Sequence, residues 1–64
     1  MQYVIYKKAD PTLMVETLDT NYNPQLTNNV DNAMLFASET AALAMIGNME
    51  GTTEFWGSRP KRPK

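Results

Sequence analysis

The sequence contains neither cysteine nor histidine, and both absences restrict what this protein can do. Without cysteine there are no disulfides and no thiolate metal sites. Without histidine the commonest metal ligand and the usual acid–base group near neutral pH are missing. The chain has only 64 residues, one domain near the lower limit for folding without such support. We therefore predict a fold held together by packed apolar side chains, with no cofactor.

The acidic side chains are the remaining source of catalytic chemistry, and their pattern does not favour it. Glu16 and Asp19 could form a carboxylate pair, but a solvated strand face is the commoner setting for such residues. Asp10, Asp19 and Asp31 lack the dense spacing of a calcium loop, and no glycine-rich phosphate loop is present. We predict that the protein is not an enzyme and has no catalytic, cofactor or metal site.

Charge is divided unevenly along the chain. Residues 1–57 carry all seven acidic residues and two lysines, a net charge of −5, whereas residues 58–64 carry four basic residues, a net charge of +4. The last segment has two prolines and no large apolar side chain, which predicts a disordered tail after a single domain at residues 1–57. Its cations could neutralise phosphates, so the candidate nucleic-acid-binding residues are Arg59, Lys61, Arg62 and Lys64.

The N-terminal third reads as a hairpin. Residues 2–8 are rich in aromatic and β-branched side chains, residues 9–12 contain turn formers, and residues 13–18 alternate as a second strand. Residues 19–29 hold four asparagines and a proline, which predicts a surface loop whose Tyr22 and Leu26 fold back onto the core. No apolar run approaches the about 18 residues of a membrane span, and no signal peptide is evident, so we expect a cytoplasmic protein.

The second half contains one clear helix. Ser38 is a good N-cap, Glu39 suits the first turn, and an apolar stripe follows at helical spacing, formed by Ala42, Met45, Ile46 and Met49 and widened by Leu43. Gly47 or Gly51 ends this helix, and Gly51 fits the stripe better. Residues 30–37 fit either a helical turn capped by Asn29 or Asp31, which we favour, or a strand. Residues 52–56 predict a third strand.

These elements give the order β-β-α-β and an α+β fold. A helical crossover would make the second and third strands run in the same direction, so placing the first strand between them makes every neighbouring pair antiparallel. We predict a three-stranded antiparallel sheet of order 2-1-3 with one main helix packed on one face. The other face would carry tyrosine and methionine side chains, either exposed or closed by a second copy in a homodimer.

At this level the chain resembles a family of small phage and prophage proteins of Gram-positive bacteria. The resemblance rests on the Tyr-Val-Ile-Tyr strand at residues 3–6, the Ala-x-x-Phe-x-Ser step formed by Ala33, Phe36 and Ser38, and the alanine-rich helix that follows. It covers roughly residues 2–56 and implies an accessory protein in the host cytoplasm. It transfers no catalytic residue, and the basic tail lies outside its pattern.

Two functional hypotheses follow. The first is a non-enzymatic interaction module that binds and modulates a host or phage protein, and its sharpest version is inhibition of a host defence nuclease by the acidic body. The alternative is a nucleic-acid-associated accessory protein that acts through the basic tail. Removal of residues 58–64 should spare binding in the first case and abolish it in the second. A structural homo-oligomer is a third possibility.

Overall fold

The N-terminal hairpin is confirmed. In the computed structural model, which describes residues 2–49 and 52–61, β1 spans Tyr3–Lys7 and pairs antiparallel with β2, Asp10–Leu18. The turn is shorter than predicted, because residues 10–12 belong to β2 and leave only residues 8–9 between the strands. The Asp10 carboxylate accepts hydrogen bonds from the backbone N–H and the hydroxyl of Thr12, at 3.2 and 2.6 Å, which supports the start of β2.

The predicted surface loop contains an additional strand. β3, Pro24–Thr27, pairs antiparallel with β2, with Val15 opposite Leu26. Leu26 packs against the core as predicted, whereas Tyr22 is 43% exposed and does not. A four-residue strand with one large apolar side chain shows no alternation of apolar and polar residues, so the sequence pattern did not reveal it. Its pairing depends on backbone hydrogen bonds to β2, and those do not require particular side chains.

The ambiguous segment before the main helix combines both alternatives. Residues Val30–Asn32 form a 3₁₀ turn, and the Asn29 side chain caps it by accepting a hydrogen bond from the N–H of Asp31 at 2.9 Å. Further on, Phe36 forms an isolated antiparallel bridge with Tyr3, through two backbone hydrogen bonds of 2.9 Å each. The helical turn that we favoured is therefore present, but the residues after it are extended.

The main helix, α1, spans Glu39–Asn48 and begins as predicted. The Ser38 hydroxyl accepts a hydrogen bond of 3.1 Å from the N–H of Ala41. The buried side of α1 carries Ala42 and Ile46. The helix continues past Gly47 and ends at Asn48 with Met49 as its C-cap, slightly before the end predicted at Gly51. Leu43 does not widen the buried stripe, because its side chain is 44% exposed. Gly51 itself lies outside the described residues.

The C-terminal part differs most from the prediction. Residues Thr52–Phe55 form a short helix, α2, and the strand begins only at Trp56 and continues to Pro60 as β4. This strand pairs antiparallel with the whole of β1, from Tyr3 opposite Pro60 to Lys7 opposite Trp56. The prediction of a disordered tail from residue 58 is therefore wrong for residues 58–60. Residues 62–64 lie outside the described part of the chain.

The sheet has four antiparallel strands in the order β3-β2-β1-β4. The predicted α+β class is confirmed, but the predicted three strands and the order 2-1-3 are wrong. The count was wrong because β3 adds to the outer side of β2, where the sequence predicted a loop. The segment that pairs on the far side of β1 is also shifted, because residues 52–55 are helical and β4 uses residues 56–60 instead.

Each face of the sheet carries a buried apolar cluster. The core on the α1 side consists of Ile5, Val15, Phe36, Ala42, Ile46, Met49 and Trp56. The core on the opposite side consists of Val4, Met14 and Ala33, with Tyr6 and Val30 packed against it. The segment around the 3₁₀ turn therefore covers part of the face that we expected to be open or closed by a second copy. No helix among residues 2–49 and 52–61 is long and apolar enough to cross a membrane.

Candidate binding groove opposite the main helix

Two of the four predicted phosphate-binding residues lie at the sheet. Arg59 is a half-buried residue of β4, and Lys61 directly follows this strand. The backbone N–H of Lys61 donates a hydrogen bond of 2.7 Å to the carbonyl of Gln2, so the pairing with the N-terminal segment continues past Pro60. Arg62 and Lys64 lie outside the described residues. Phosphate binding by this set stays a prediction, but Arg59 and Lys61 belong to ordered backbone.

The cross-strand register explains where the Arg59 side chain lies. Val4 is opposite Arg59 and Tyr6 is opposite Gly57, so Tyr6 and Arg59 are diagonal neighbours on one face of the sheet. The guanidinium carbon of Arg59 lies 4.9 Å from the centroid of the Tyr6 ring, within cation–π range. The aromatic ring thus holds the cation on the face opposite α1.

Gly57 lets the Tyr6 ring lean across β4. A Cβ atom at this glycine would lie 2.5 Å from both Cζ and the hydroxyl oxygen of Tyr6, which is closer than real Cβ contacts. The absence of a side chain therefore provides the space that the ring fills. This is the packing of an aromatic residue over a cross-strand glycine, which pins strand register. The packing of Gly57, Tyr6 and Arg59 is therefore specified by the pairing of β1 with β4.

A groove open to solvent lies beside this arrangement. It has a volume of about 310 Å³ and is lined by Val4, Met14, Val30, Arg59 and Pro60. Val4 and Met14 are buried, and Val30, from the 3₁₀ turn, is half buried. Chemically the groove offers apolar walls and a single cation. Such a site is suited to a ligand with an apolar body and one anionic group.

The acidic side chains of the described residues lie on the surface of the molecule. Every acidic side chain within residues 2–49 and 52–61 is exposed, namely Asp10, Glu16, Asp19, Asp31, Glu39 and Glu54. Within those same residues, no three of them are grouped closely enough to hold a metal ion. Glu16 lies on an exposed strand position, as expected for a solvated face. The Arg59 cation therefore lies on a molecule whose other exposed charges are largely negative.

The loop between β2 and β3 is the other locally organised surface. One oxygen of the Asp19 carboxylate accepts hydrogen bonds from the backbone N–H groups of Asn21 and Asn23, at 2.7 and 2.9 Å. These bonds favour the ionised form and lower the pKa of Asp19 below its usual value.

At the tip of this loop, Tyr22 has a φ of 61°, in the left-handed region that is unusual for an aromatic residue. Its side chain is exposed and belongs to neither apolar cluster of the described residues.

Comparison with protein-family models, curated proteins and solved structures found no match to this chain. The resemblance to small phage proteins therefore stays a prediction. The groove itself was missed at the sequence level, because residues 58–60 were assigned to a tail. The signal that could have found it is the alternation Trp56-Gly57-Ser58-Arg59: a strand with this pattern places Gly57 and Arg59 on one face and Trp56 on the other.

Proposed function

We propose that this protein is a small, non-enzymatic accessory module that binds a partner protein and modulates it, and that the groove beside Arg59 is its contact site. The observation that supports this proposal is the combination of apolar walls with one cation held over Tyr6. Apolar sites with a few well-placed polar groups are typical of ligand and partner binding. The acidic exterior adds electrostatic selectivity, because it repels partners that are themselves acidic.

The phage-type version of this proposal places the protein in the host cytoplasm, where it inhibits a defence nuclease. Two observations support this version. The exposed carboxylates suit the basic surface of a nuclease that binds nucleic acid, and the sequence resembles small phage proteins. The alternative, an accessory protein that binds nucleic acid through Arg59, Lys61, Arg62 and Lys64, has less support. Arg59 belongs to β4, and the backbone N–H of Lys61 donates to the carbonyl of Gln2, so this part of the segment is held in the sheet and cannot follow a nucleic-acid backbone as a free tail could.

The test is capture of partners by the tagged full-length chain from a host lysate, with and without nuclease treatment. We expect a stoichiometric protein partner that survives nuclease and is lost in Arg59→Glu. Lys7→Glu is the matched control, because it makes the same change in net charge at the far end of β1, opposite Trp56. Circular dichroism of both variants checks that the fold is intact.

Three results would contradict the proposal. Loss of all captured material after nuclease treatment would favour the nucleic-acid alternative. Equal capture by Arg59→Glu and the wild-type chain would remove the groove from the contact site. A light-scattering mass of two chains with no other partner would favour a structural homodimer. Removal of residues 58–64 cannot serve as this test, because it deletes part of β4.

A further inference from the structure

The guanidinium of Arg59 can bind an anion while it remains over Tyr6. Guanidinium carries five N–H donors in a plane, and its contact with an aromatic ring uses the charge rather than a hydrogen-bond acceptor. With the guanidinium carbon 4.9 Å from the ring centroid, N–H groups remain for an acceptor in the groove. Carboxylate is the acceptor that matches this planar fork best, through two parallel hydrogen bonds.

The rest of the groove selects for an aliphatic group next to that carboxylate. Val30 and Pro60 provide the accessible apolar lining, next to Val4 and Met14, which are almost fully buried. A volume of about 310 Å³ lies at the small end of ligand sites. There is space for one or two residues of a peptide. A polyanion is disfavoured, because Arg59 supplies the single positive charge among the described residues that line the groove. The site is thus suited to one negative charge and one apolar side chain.

A protein C-terminus carries this combination in a single residue. Its α-carboxylate and an aliphatic side chain are attached to the same Cα atom, so both fit within a groove of this size. An internal aspartate or glutamate has its carboxylate at the end of a short polar side chain and brings no apolar group of its own. Capture of a terminal carboxylate is an established mode of peptide recognition.

The edge of β4 argues against peptide binding by strand addition at this end of the sheet. The N–H of Lys61 points inward to Gln2, and the N–H of Lys8 donates to the carbonyl of Phe55 at 2.9 Å. Because N–H directions alternate along a strand, Pro60 occupies a position that faces the open edge. Proline has no N–H to donate there, so an added strand would lack a hydrogen bond next to the groove.

We infer that the groove binds the C-terminal residue of a partner protein, with its α-carboxylate on Arg59 and its aliphatic side chain against Val30 and Pro60. Tyr6 and Gly57 act as positioning residues, because the ring holds the guanidinium and the glycine makes space for the ring. This inference rests on the proposed function, since it names the chemistry by which the module recognises its partner.

The test uses the full-length protein and two synthetic peptides, acetyl-Ala-Ala-Leu with a free C-terminal carboxylate and the same peptide as its amide. Titration is followed by NMR of the methyl groups of Val4, Met14 and Val30. We expect the free acid to bind about tenfold more tightly than the amide, as one charge-assisted hydrogen-bonded pair provides. Arg59→Gln should reduce binding of the acid to the level of the amide and leave the amide unchanged. Lys7→Gln is the control and should behave as wild type.

Equal affinity for acid and amide, or shifts confined to residues outside the groove, would overturn the inference. So would an Arg59→Gln variant that retains the preference for the acid. Failure of this inference is distinguishable from failure of the proposed function. If neither peptide binds but partner capture still depends on Arg59, the inference that the groove binds a C-terminal carboxylate is wrong, whereas the proposed function as an interaction module is retained. If capture does not depend on Arg59 either, both are wrong.

Discussion

At the scale of single residues, Asp19 shows how one carboxylate organises a loop that has no apolar support. Its side chain accepts hydrogen bonds from the N–H groups of Asn21 and Asn23, while its carbonyl accepts one from Tyr22 at 3.0 Å. The asparagine-rich composition predicted a turn here, because such side chains compete with regular secondary structure. The composition did not indicate that this turn would lead directly into a strand.

The lowered pKa of Asp19 predicts a dependence of stability on pH. A carboxylate whose native pKa lies below its usual value of 3.8 stabilises the fold fully above that value. The contribution is lost as the pH falls through the native pKa. We expect Asp19→Asn to remove this part of the acid sensitivity, since asparagine still accepts the loop hydrogen bonds but does not titrate. Urea unfolding of both proteins between about pH 7 and about pH 3 measures it.

Asp10 provides the comparison for this measurement. Its pKa is also lowered, mainly by the hydrogen bond from the Thr12 hydroxyl, so Asp10→Asn should remove a similar but separate part of the acid sensitivity. The prediction for Asp19 fails if Asp19→Asn and the wild-type chain lose stability in parallel over the whole pH range.

The left-handed backbone of Tyr22 leads us to expect that replacing this residue with glycine stabilises the fold. A left-handed backbone costs a non-glycine residue about 1–2 kcal/mol, and the exposed ring returns little packing energy. We expect Tyr22→Gly to raise the free energy of unfolding by about 0.5–1 kcal/mol, after the larger backbone entropy of glycine in the unfolded chain is taken into account. Tyr22→Phe keeps the same strain and should leave stability unchanged. A lower stability of Tyr22→Gly in chemical denaturation would show that the ring contributes packing.

At the scale of elements, the N-terminal caps were predicted correctly, whereas the end of α1 and the strand boundaries were not. Ser38 caps α1 as predicted, and Asn29, one of two candidates with Asp31, caps the 3₁₀ turn, because such a cap needs only a side chain and the next few N–H groups. β3 and β4 were missed or shifted, because pairing with a neighbour far along the chain determines where they begin. The short helix α2 also replaced most of a predicted strand, although Phe55 favours strands by propensity.

The cap at Ser38 predicts a loss of stability on substitution. Ser38→Ala removes the acceptor for the N–H of Ala41 and should lower the free energy of unfolding by about 1 kcal/mol. Thr40→Ala is the matched control, since it also removes an exposed hydroxyl from the first turn of α1. We expect the control to be neutral or slightly stabilising, because alanine is the better helix former. Thermal unfolding that ranks the two variants in the opposite order would contradict the capping role.

At the scale of the whole molecule, β4 joins the two ends of the chain. It pairs with all of β1, and its Trp56 belongs to the core on the α1 side while Arg59 lies on the opposite face. A small domain has little surplus stability, so the loss of one strand affects the entire fold. The C-terminal segment that the composition indicated as a dispensable tail therefore includes a structural strand.

Two truncations test this role. A chain of residues 1–57 lacks the partners of Tyr3, Val4 and Ile5, and we expect it to lose most or all of the about 3–5 kcal/mol that such a core supplies. A chain of residues 1–61 keeps β4 and the hydrogen bond from Lys61 to Gln2, and it should unfold cooperatively. Far-UV circular dichroism with thermal melting separates them. A cooperative transition in the 1–57 chain would show that β4 contributes little to the fold.

The sequence by itself determined the α+β class, the first hairpin, the capped helix and the lack of histidine and cysteine chemistry. These features depend on local hydrogen bonds, on short-range periodicity and on composition. Tertiary structure decided the fourth strand, the true position of β4 and the groove. Arg59 could be identified as a candidate binding residue from its charge. Its contact with Tyr6, and the apolar residues that line the groove beside it, could not be predicted from the sequence. Those neighbours are brought together by antiparallel pairing between β1 and β4, which lie far apart along the chain, and the register of this pairing is set by contacts that no local pattern contains.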